Sequence, residues 1–302
     1  MTVAFTHVHI IGIGLIGSSL ARAVKAHDFC QTLTLSDVSG NVCATARKLR
    51  MGDRVDTDPT KNIGTADVVI LATPPSTMGH IACQIRDCLK PGAVLMDVGS
   101  VKGPIMEAVS PHVPDHATFI PAHPIAGTEN SGPESGFATL FQDRWCILTP
   151  ENPHLPEVQT AIKFWEAIGS GVVVMDANRH DIVMAVTSHV PHLIAYTLVG
   201  TAMDMETVTR NEVIKFSAGG FRDFTRIAAS DPTMWRDVFL ANKSGVLEVV
   251  DRFIEDLSAL KRAIRWGEME TLETHLARTR DIRRRIIDAG QDVETSNFGR
   301  DN

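Results

Sequence analysis

The chain has 302 residues, of which 44% are hydrophobic and 22% charged, and a formal net charge of −7. That length can bury a large core and suggests two domains, and the composition excludes a disordered or fibrous chain. The negative balance argues against a surface for nucleic acid or an anionic membrane.

The first element is an apolar run, Val8 to Ile11, that feeds Gly12, Gly14 and Gly17 and then an Ala- and Leu-rich helical stretch. The first glycine suits a tight strand-to-helix turn. The second lets a pyrophosphate approach the backbone, and the third lets helix and strand pack closely. The turn residues Gly12, Gly14, Leu15, Ile16 and Gly17 are therefore candidate cofactor contacts, with free amides and the positive helix end facing the phosphates. A second apolar run, Leu33 to Leu35, ends at Asp37, where an acid hydrogen-bonds the adenosine ribose and repels a 2′-phosphate. NAD is the expected cofactor. NADP stays open because Ser36, Ser39 and Asn41 flank Asp37, and so does a purely structural glycine turn with a solvated Asp.

Further short β-rich runs follow at Val68–Leu71, Val94–Met96, Thr118–Ile120, Trp145–Leu148 and Val172–Met175. They are separated by amphipathic segments such as Met78–Leu89 and Glu157–Ile168. Continuous apolar strands alternating with helices predict an α/β Rossmann-type domain with a mostly parallel, doubly wound sheet over residues 1–175. Ligands in such sheets sit outside the carboxyl ends of the strands. Thr73 and Pro74 after one strand, and the segment Asp97 to Lys102 after another, should rim that cleft. Ser100 reads equally as a helix N-cap and as a substrate contact.

The loop from His123 through Pro124, Gly127, Thr128, Glu129 and Asn130 to Gly132 joins an imidazole, turn formers and a carboxylate. Histidine titrates nearest neutral pH, so it is the natural acceptor when an alcohol loses a proton as well as a hydride.

Beyond Asp176 the strand-like runs vanish. Val246, Val249, Val250, Phe253, Ile254, Leu257, Leu260 and Ile264 trace one stripe at three and four spacing, and Leu272 to Ile287 forms a second helical stretch. An all-α domain over residues 176–292 is expected, with a polar tail at 293–302. Its stripe serves either a core or a subunit contact. The basic run Arg278 to Arg285 complements a helix C-terminus rather than marking a nucleic-acid patch.

Two clusters in this half carry chemistry. Ser188 and His192 stand four apart, with His189 between them and Pro191 next to it. They read as partly buried polar residues at a kink, or as a face turned toward substrate. A zinc site with His180 lacks matched ligand spacing, and no metal is expected. Gly219 and Gly220 lead into Arg222, Asp223 and Arg226; arginine grips carboxylates in a bidentate fork that a neighbouring acid can orient, and surface salt bridging is the plain alternative.

The cysteines, Cys30, Cys43, Cys83, Cys88 and Cys146, contain no C-x-x-C pair and read as buried hydrophobes in a reducing compartment. The start lacks the basic and long apolar regions of a signal peptide, and no apolar run reaches the ~18 residues of a membrane span. A cytoplasmic protein is expected.

Taken together, the His123 loop, the Thr187–His192 segment and the Gly219–Arg226 segment followed by Ser230–Trp235 resemble the prephenate/arogenate (cyclohexadienyl) dehydrogenases of tyrosine biosynthesis. The resemblance runs from the first strand to about Ile287. It implies a Rossmann domain, a helical domain that makes a homodimer, and oxidative decarboxylation of prephenate or arogenate with NAD+. Carried over by motif, it implies that His123 is the catalytic imidazole with Ser100 beside it, and that Thr128 and Glu129 line the pocket. Ser188 and His192 would touch substrate. Arg226 would clamp a carboxylate, with Asp223 orienting it, Trp235 nearby, and Arg222 as a second basic residue. Two other readings stay open. One is a β-hydroxyacid or 6-phosphogluconate-type dehydrogenase, for which Lys215 or Lys243 would have to serve as acid/base; the other is a non-catalytic NAD-binding sensor.

Overall fold

The computed structural model describes residues 5–128, 130–205 and 215–288. The chain forms two compact units, Met1–Val246 and Leu247–Asn302.

In the first unit, β1 (Phe5–Ile11), β2 (Cys30–Ser36), β3 (Arg54–Asp56), β4 (Val68–Leu71), β5 (Val94–Asp97) and β6 (Thr118–Ile120) build one parallel sheet in the order β3-β2-β1-β4-β5-β6. The connections are α1 (Leu15–His27), α2 (Gly40–Lys48), α3 (Pro75–Ile85) and α4 (Gly103–Val109). The strand order reverses beside β1, and that reversal opens a crevice at the carboxyl ends of β1 and β4. The sheet is covered on both faces. Val8, Ile10, Leu33 and Leu35 pack with Leu20, Phe164 and Trp165, whereas Ile11, Val69, Leu71 and Leu95 pack with Met78, Ile85, Val101 and Trp235.

The sheet differs from the expected one at its far edge. Pro121 follows β6 and has no amide to donate, and the next amide, that of Ala122, goes to the Asp97 carboxylate at 3.2 Å. The chain thereby leaves the parallel ladder. A short strand β7 (Ala122–Pro124) pairs antiparallel with β8 (Trp145–Leu148), which pairs parallel with β9 (Gly171–Val174) in a separate three-stranded sheet. His123 therefore sits on a strand, opposite Ile147, and not in the loop its sequence suggested.

After α5 (Pro156–Ala167), the helices α6 (Ala177–Met184) and α7 (Val190–Asp204) run on from each other through a π-helical turn at Ala185–His189. Pro191 explains the turn: its missing amide frees a carbonyl one turn back, and the ladder widens to accommodate it. α8 (Gly219–Thr225) and α9 (Pro232–Ala241) complete the unit. Trp235 and Val238 of α9 pack into the same core as β4, β5 and α3, so these helices belong to the compact unit of the sheet although their composition differs from it.

The second unit contains α10 (Lys243–Trp266), apart from its first turn, and α11 (Met269–Ile286). The apolar stripe predicted for α10 is present but open to solvent: Ile254, Leu257 and Ile264 are 53%, 52% and 69% exposed, and Met269 on α11 is 80% exposed.

Candidate active site

The glycine turn has the geometry its spacing predicted. Gly12 has φ +96°, and a Cβ there would lie 2.5 Å from the Ala72 carbonyl oxygen, so both conformation and space demand glycine. At Gly17 a Cβ would stand 1.9 Å from the Gly12 oxygen, whereas around Gly14 there is open space. Gly14 caps α1 without a side-chain hydrogen bond, leaving the first amides, those of Leu15 and Ile16 included, for an incoming anion. Thr73 touches the position of a Gly12 Cβ at 2.8 Å, and Pro74 caps α3. Asp37 closes β2 with its carboxylate tied to the turn: Oδ2 accepts from the Ile13 amide at 2.9 Å and Oδ1 from the Ser39 amide at 2.9 Å. Each oxygen keeps a further lone pair for a ribose hydroxyl. These residues fit a dinucleotide.

His123 lies at the end of a polar chain that begins at the start of α4. The amides of Lys102 and Gly103 donate to the two oxygens of Asp181 at 2.8 and 2.9 Å. Asp181 Oδ1 also meets His180 Nδ1 at 2.8 Å, and His180 Nε2 meets His123 Nδ1 at 2.8 Å. Burial opposes ionisation of Asp181, but the hydrogen bonds from His180, Gly103 and Lys102 outweigh it and hold the carboxyl below its usual range. His123 is pushed well below the ordinary histidine value, first by burial and then by His180, Lys102 and His189. It is neutral at pH 7 and able to accept a proton.

A fully buried ion pair lies under this chain. Lys102 Nζ donates to Asp97 and, at 2.6 Å, to the carbonyl of Ala122, the residue before His123. Burial pulls Lys102 down and pushes Asp97 up, each opposed by its partner. Lys102 is fully buried, and its bond to the Ala122 carbonyl ties down the start of β7.

The capping alternative for Ser100 is corrected here. α4 starts at Gly103, its N-cap Lys102 makes no side-chain cap bond, and Asp181 takes the free amides instead. Ser100 remains half-buried in the turn before α4, with its backbone beside His189.

On the helical side, His192 donates from Nδ1 to the Ser188 carbonyl at 2.8 Å and stacks on Trp235, with ring centroids 3.6 Å apart and planes at 23°. Burial lowers His192, the Ser188 carbonyl opposes this, and the nearby Arg226 guanidinium adds to it. Trp235 is buried, and its indole N–H has no hydrogen-bond partner among the described residues. Ser188, His192, Arg226 and Trp235 thus come together. Arg222 and Asp223 lie on α8, just before Arg226. Thr128 is exposed and accepts the Asn130 amide at 3.2 Å; Glu129 lies outside the described residues.

The sequence reading weighed His180 only as a zinc ligand, placed Asp97 and Lys102 at the cleft rim without pairing them, and gave Asp181 no role. His180 and Asp181 are adjacent in a helical stretch without a motif. An acid and a lysine five residues apart at a strand-to-helix junction were the available signal for the Asp97–Lys102 pair.

Residues 20–174 match the model of the prephenate dehydrogenase nucleotide-binding domain, and residues 176–278 match that of the prephenate dehydrogenase dimerization domain. A cyclohexadienyl dehydrogenase of Zymomonas mobilis is 43% identical over 285 residues, covering 94% of this chain and 96% of that protein. A prephenate dehydrogenase of Bacillus subtilis is 31% identical, covering 91% and 74%. The crystal structure of an Aquifex aeolicus prephenate dehydrogenase with hydroxyphenyl propionate and NAD+ superposes with a TM-score of 0.85 at 35% identity, covering 93% and 98%.

Proposed function

Since the chain belongs to the prephenate dehydrogenase family, we propose that it oxidatively decarboxylates prephenate, arogenate or both, using NAD+ and giving 4-hydroxyphenylpyruvate or tyrosine. The observation that carries this reading is the His123 imidazole: it is held neutral, engaged through Nδ1, and sits in the same compact unit as an uncapped glycine-turn helix. NAD+, when bound, supplies the hydride acceptor. Gly12, Gly14, Leu15, Ile16 and Gly17 would hold its phosphates, Asp37 its ribose, and Thr73 and Pro74 the edge of its cleft.

The chain's own residues do the rest. His123 takes the proton of the ring C4 hydroxyl as that carbon is oxidised, and Ser100 stands beside it. The bond from ring carbon to carboxylate then breaks, CO2 leaves, its electron pair completes an aromatic ring, and the phenolate oxygen takes a proton back from the His123 imidazolium. Arg226, oriented by Asp223, clamps a substrate carboxylate. Arg222 and Thr128 border the pocket, while Ser188, His192 and Trp235 pack against the ring or side chain. Orientation and charge placement account for most of the catalysis.

We divide the functional labour at residue 175, with cofactor held before it and substrate after it. A homodimer forms through the helical part, where the open stripes of α10 and α11 need an apolar partner. The enzyme is placed in the cytoplasm. A lysine-based dehydrogenase is less well supported: Lys215 lies over the Phe216 ring, 5.3 Å from its centroid, and Lys243 begins α10 on an exposed turn.

Initial rates of NADH formation at 340 nm with prephenate, arogenate and 3-hydroxyisobutyrate test the reading. Turnover of at least one ring substrate and none of 3-hydroxyisobutyrate is expected. Turnover of 3-hydroxyisobutyrate alone would transfer the protein to the rival class.

A further inference from the structure

We propose that His180 is a positioning residue that fixes the tautomer of His123, leaving Nε2 unprotonated for the reaction. The inference rests on the dehydrogenase reading for what His123 does, and on geometry for how it is held.

The direction of the chain can be worked out from its far end. The amides of Lys102 and Gly103 donate to the two Asp181 oxygens, and these bonds with that of His180 hold the carboxyl below its usual range. Asp181 is accordingly a carboxylate, an acceptor only, and the contact from His180 at 2.8 Å brings a proton on Nδ1. A neutral imidazole with Nδ1–H presents Nε2 as an acceptor. His123 Nδ1, 2.8 Å away, then carries the proton and donates it to His180. The Nε2 of His123 is left with its lone pair, and no protein group among the described residues hydrogen-bonds to it. Two helix-start amides thus set the protonation of a side chain three links away.

The charged and titratable groups facing His123 are His180 and Asp181 from α6, Lys102 and Asp97 from the β5–α4 junction, and His189 from the π-helical turn. Lys102 is opposed by its contact with Asp97, and His189 is neutral at pH 7, held at about 4 by burial above all. Among the described residues, Asp181 is the one anion joined by hydrogen bonds to His123, through His180. When His123 becomes an imidazolium, that anion stabilises it without moving, as the aspartate of a serine-protease triad does for its histidine. His180 is fully buried, and its ring meets that of His123 edge to face at 5.1 Å, so the pair is held by packing as well as by the hydrogen bond.

The test uses two substitutions of similar size. His180→Leu removes the acceptor, and His180→Gln offers an amide oxygen to the Nδ1–H of His123. Both break the imidazole contact with Asp181, so a packing role predicts similar losses for the two. The tautomer is read by 15N NMR of histidine-labelled full-length protein without substrate. Wild type is expected to show His123 with Nδ1 protonated and Nε2 bare. In His180→Leu the proton should move to Nε2 and kcat should fall by about 10²–10⁴-fold. His180→Gln should keep the wild-type tautomer and stay within roughly tenfold of wild-type kcat, and NAD+ affinity should hold within about threefold in both. A protonated Nε2 in wild type, or equal losses in the two variants, would overturn the assignment. If the leucine variant does not fold, the wild-type spectrum alone decides. If wild type turns over neither ring substrate, the functional reading fails while the tautomer is still measured.

Discussion

Two side chains carry most of the specificity argument, Arg226 and Asp37. Arg226 lies near His192, which stacks on Trp235, so it borders an aromatic wall where a carboxylate-bearing ring can rest. Arg226→Ala should raise KM for the ring substrate by roughly ten- to a hundredfold, the loss of one charge-assisted contact, with kcat less affected. An unchanged KM would remove Arg226 from the pocket. Asp37 has one lone pair of each oxygen committed to the backbone, which holds the carboxylate in place beside the glycine turn. Asp37→Ser should weaken NAD+ more than NADP+, read as the ratio of their kcat/KM values; an unchanged ratio would show that this acid does not set the preference. Both residues could be named as candidates from the sequence because each belongs to a motif with fixed spacing. His180 and Asp181 were not, because their partners stand 57 and 79 residues away and only folding brings them together.

At the scale of elements, the glycine turn joins β1 to α1 with no room for a side chain at Gly17. Gly17→Ala places a methyl 1.9 Å from a backbone oxygen that cannot rotate away, so α1 must shift from β1. Stability should fall by about 1–3 kcal/mol in urea unfolding, and NAD+ affinity with it. Wild-type stability and affinity would mean that helix and strand are less closely packed than described. The strands that appeared as apolar runs all formed; for β1, β4 and β5 burial on both faces makes them continuous in sequence, whereas β9 is only partly buried. β3 and β7 went unread: three residues with a charged or proline member give no periodic signal. The change of sheet at Pro121 was likewise hidden, because a lone proline marks an end of pairing without saying where the chain goes next.

For the whole molecule, buried histidines make stability depend on acid. His9 is pushed down to about 3, by burial first and then by His7, and His189 to about 4. Both titrate near 6.5 once unfolded. Between those values the unfolded chain binds protons that the folded chain refuses, so stability is full above about pH 6.5 and is lost as pH falls toward 4 and 3. The slope is about 1.4 kcal/mol per pH unit for each such histidine. Thermal melts should give a level Tm from pH 8 to 6.5 and a falling one below; a Tm that rises on acidification would contradict this. The buried ladder behind His9, in which Thr34 bridges His7 at 2.7 Å and His9 at 2.5 Å, was invisible in the sequence because it needs the β1–β2 register. Fold class was readable from alternation. The boundary between compact units was not, since helices of a different composition pack into the core of the sheet.

The direct test of the account is the turnover of His123→Asn with prephenate and arogenate, alongside its NAD+ dissociation constant. An asparagine cannot take up the hydroxyl proton, so kcat should fall by about 10²–10⁴-fold while NAD+ binding stays near wild type. Turnover within threefold of wild type would show that another group accepts the proton, and the assignment of this imidazole would be wrong.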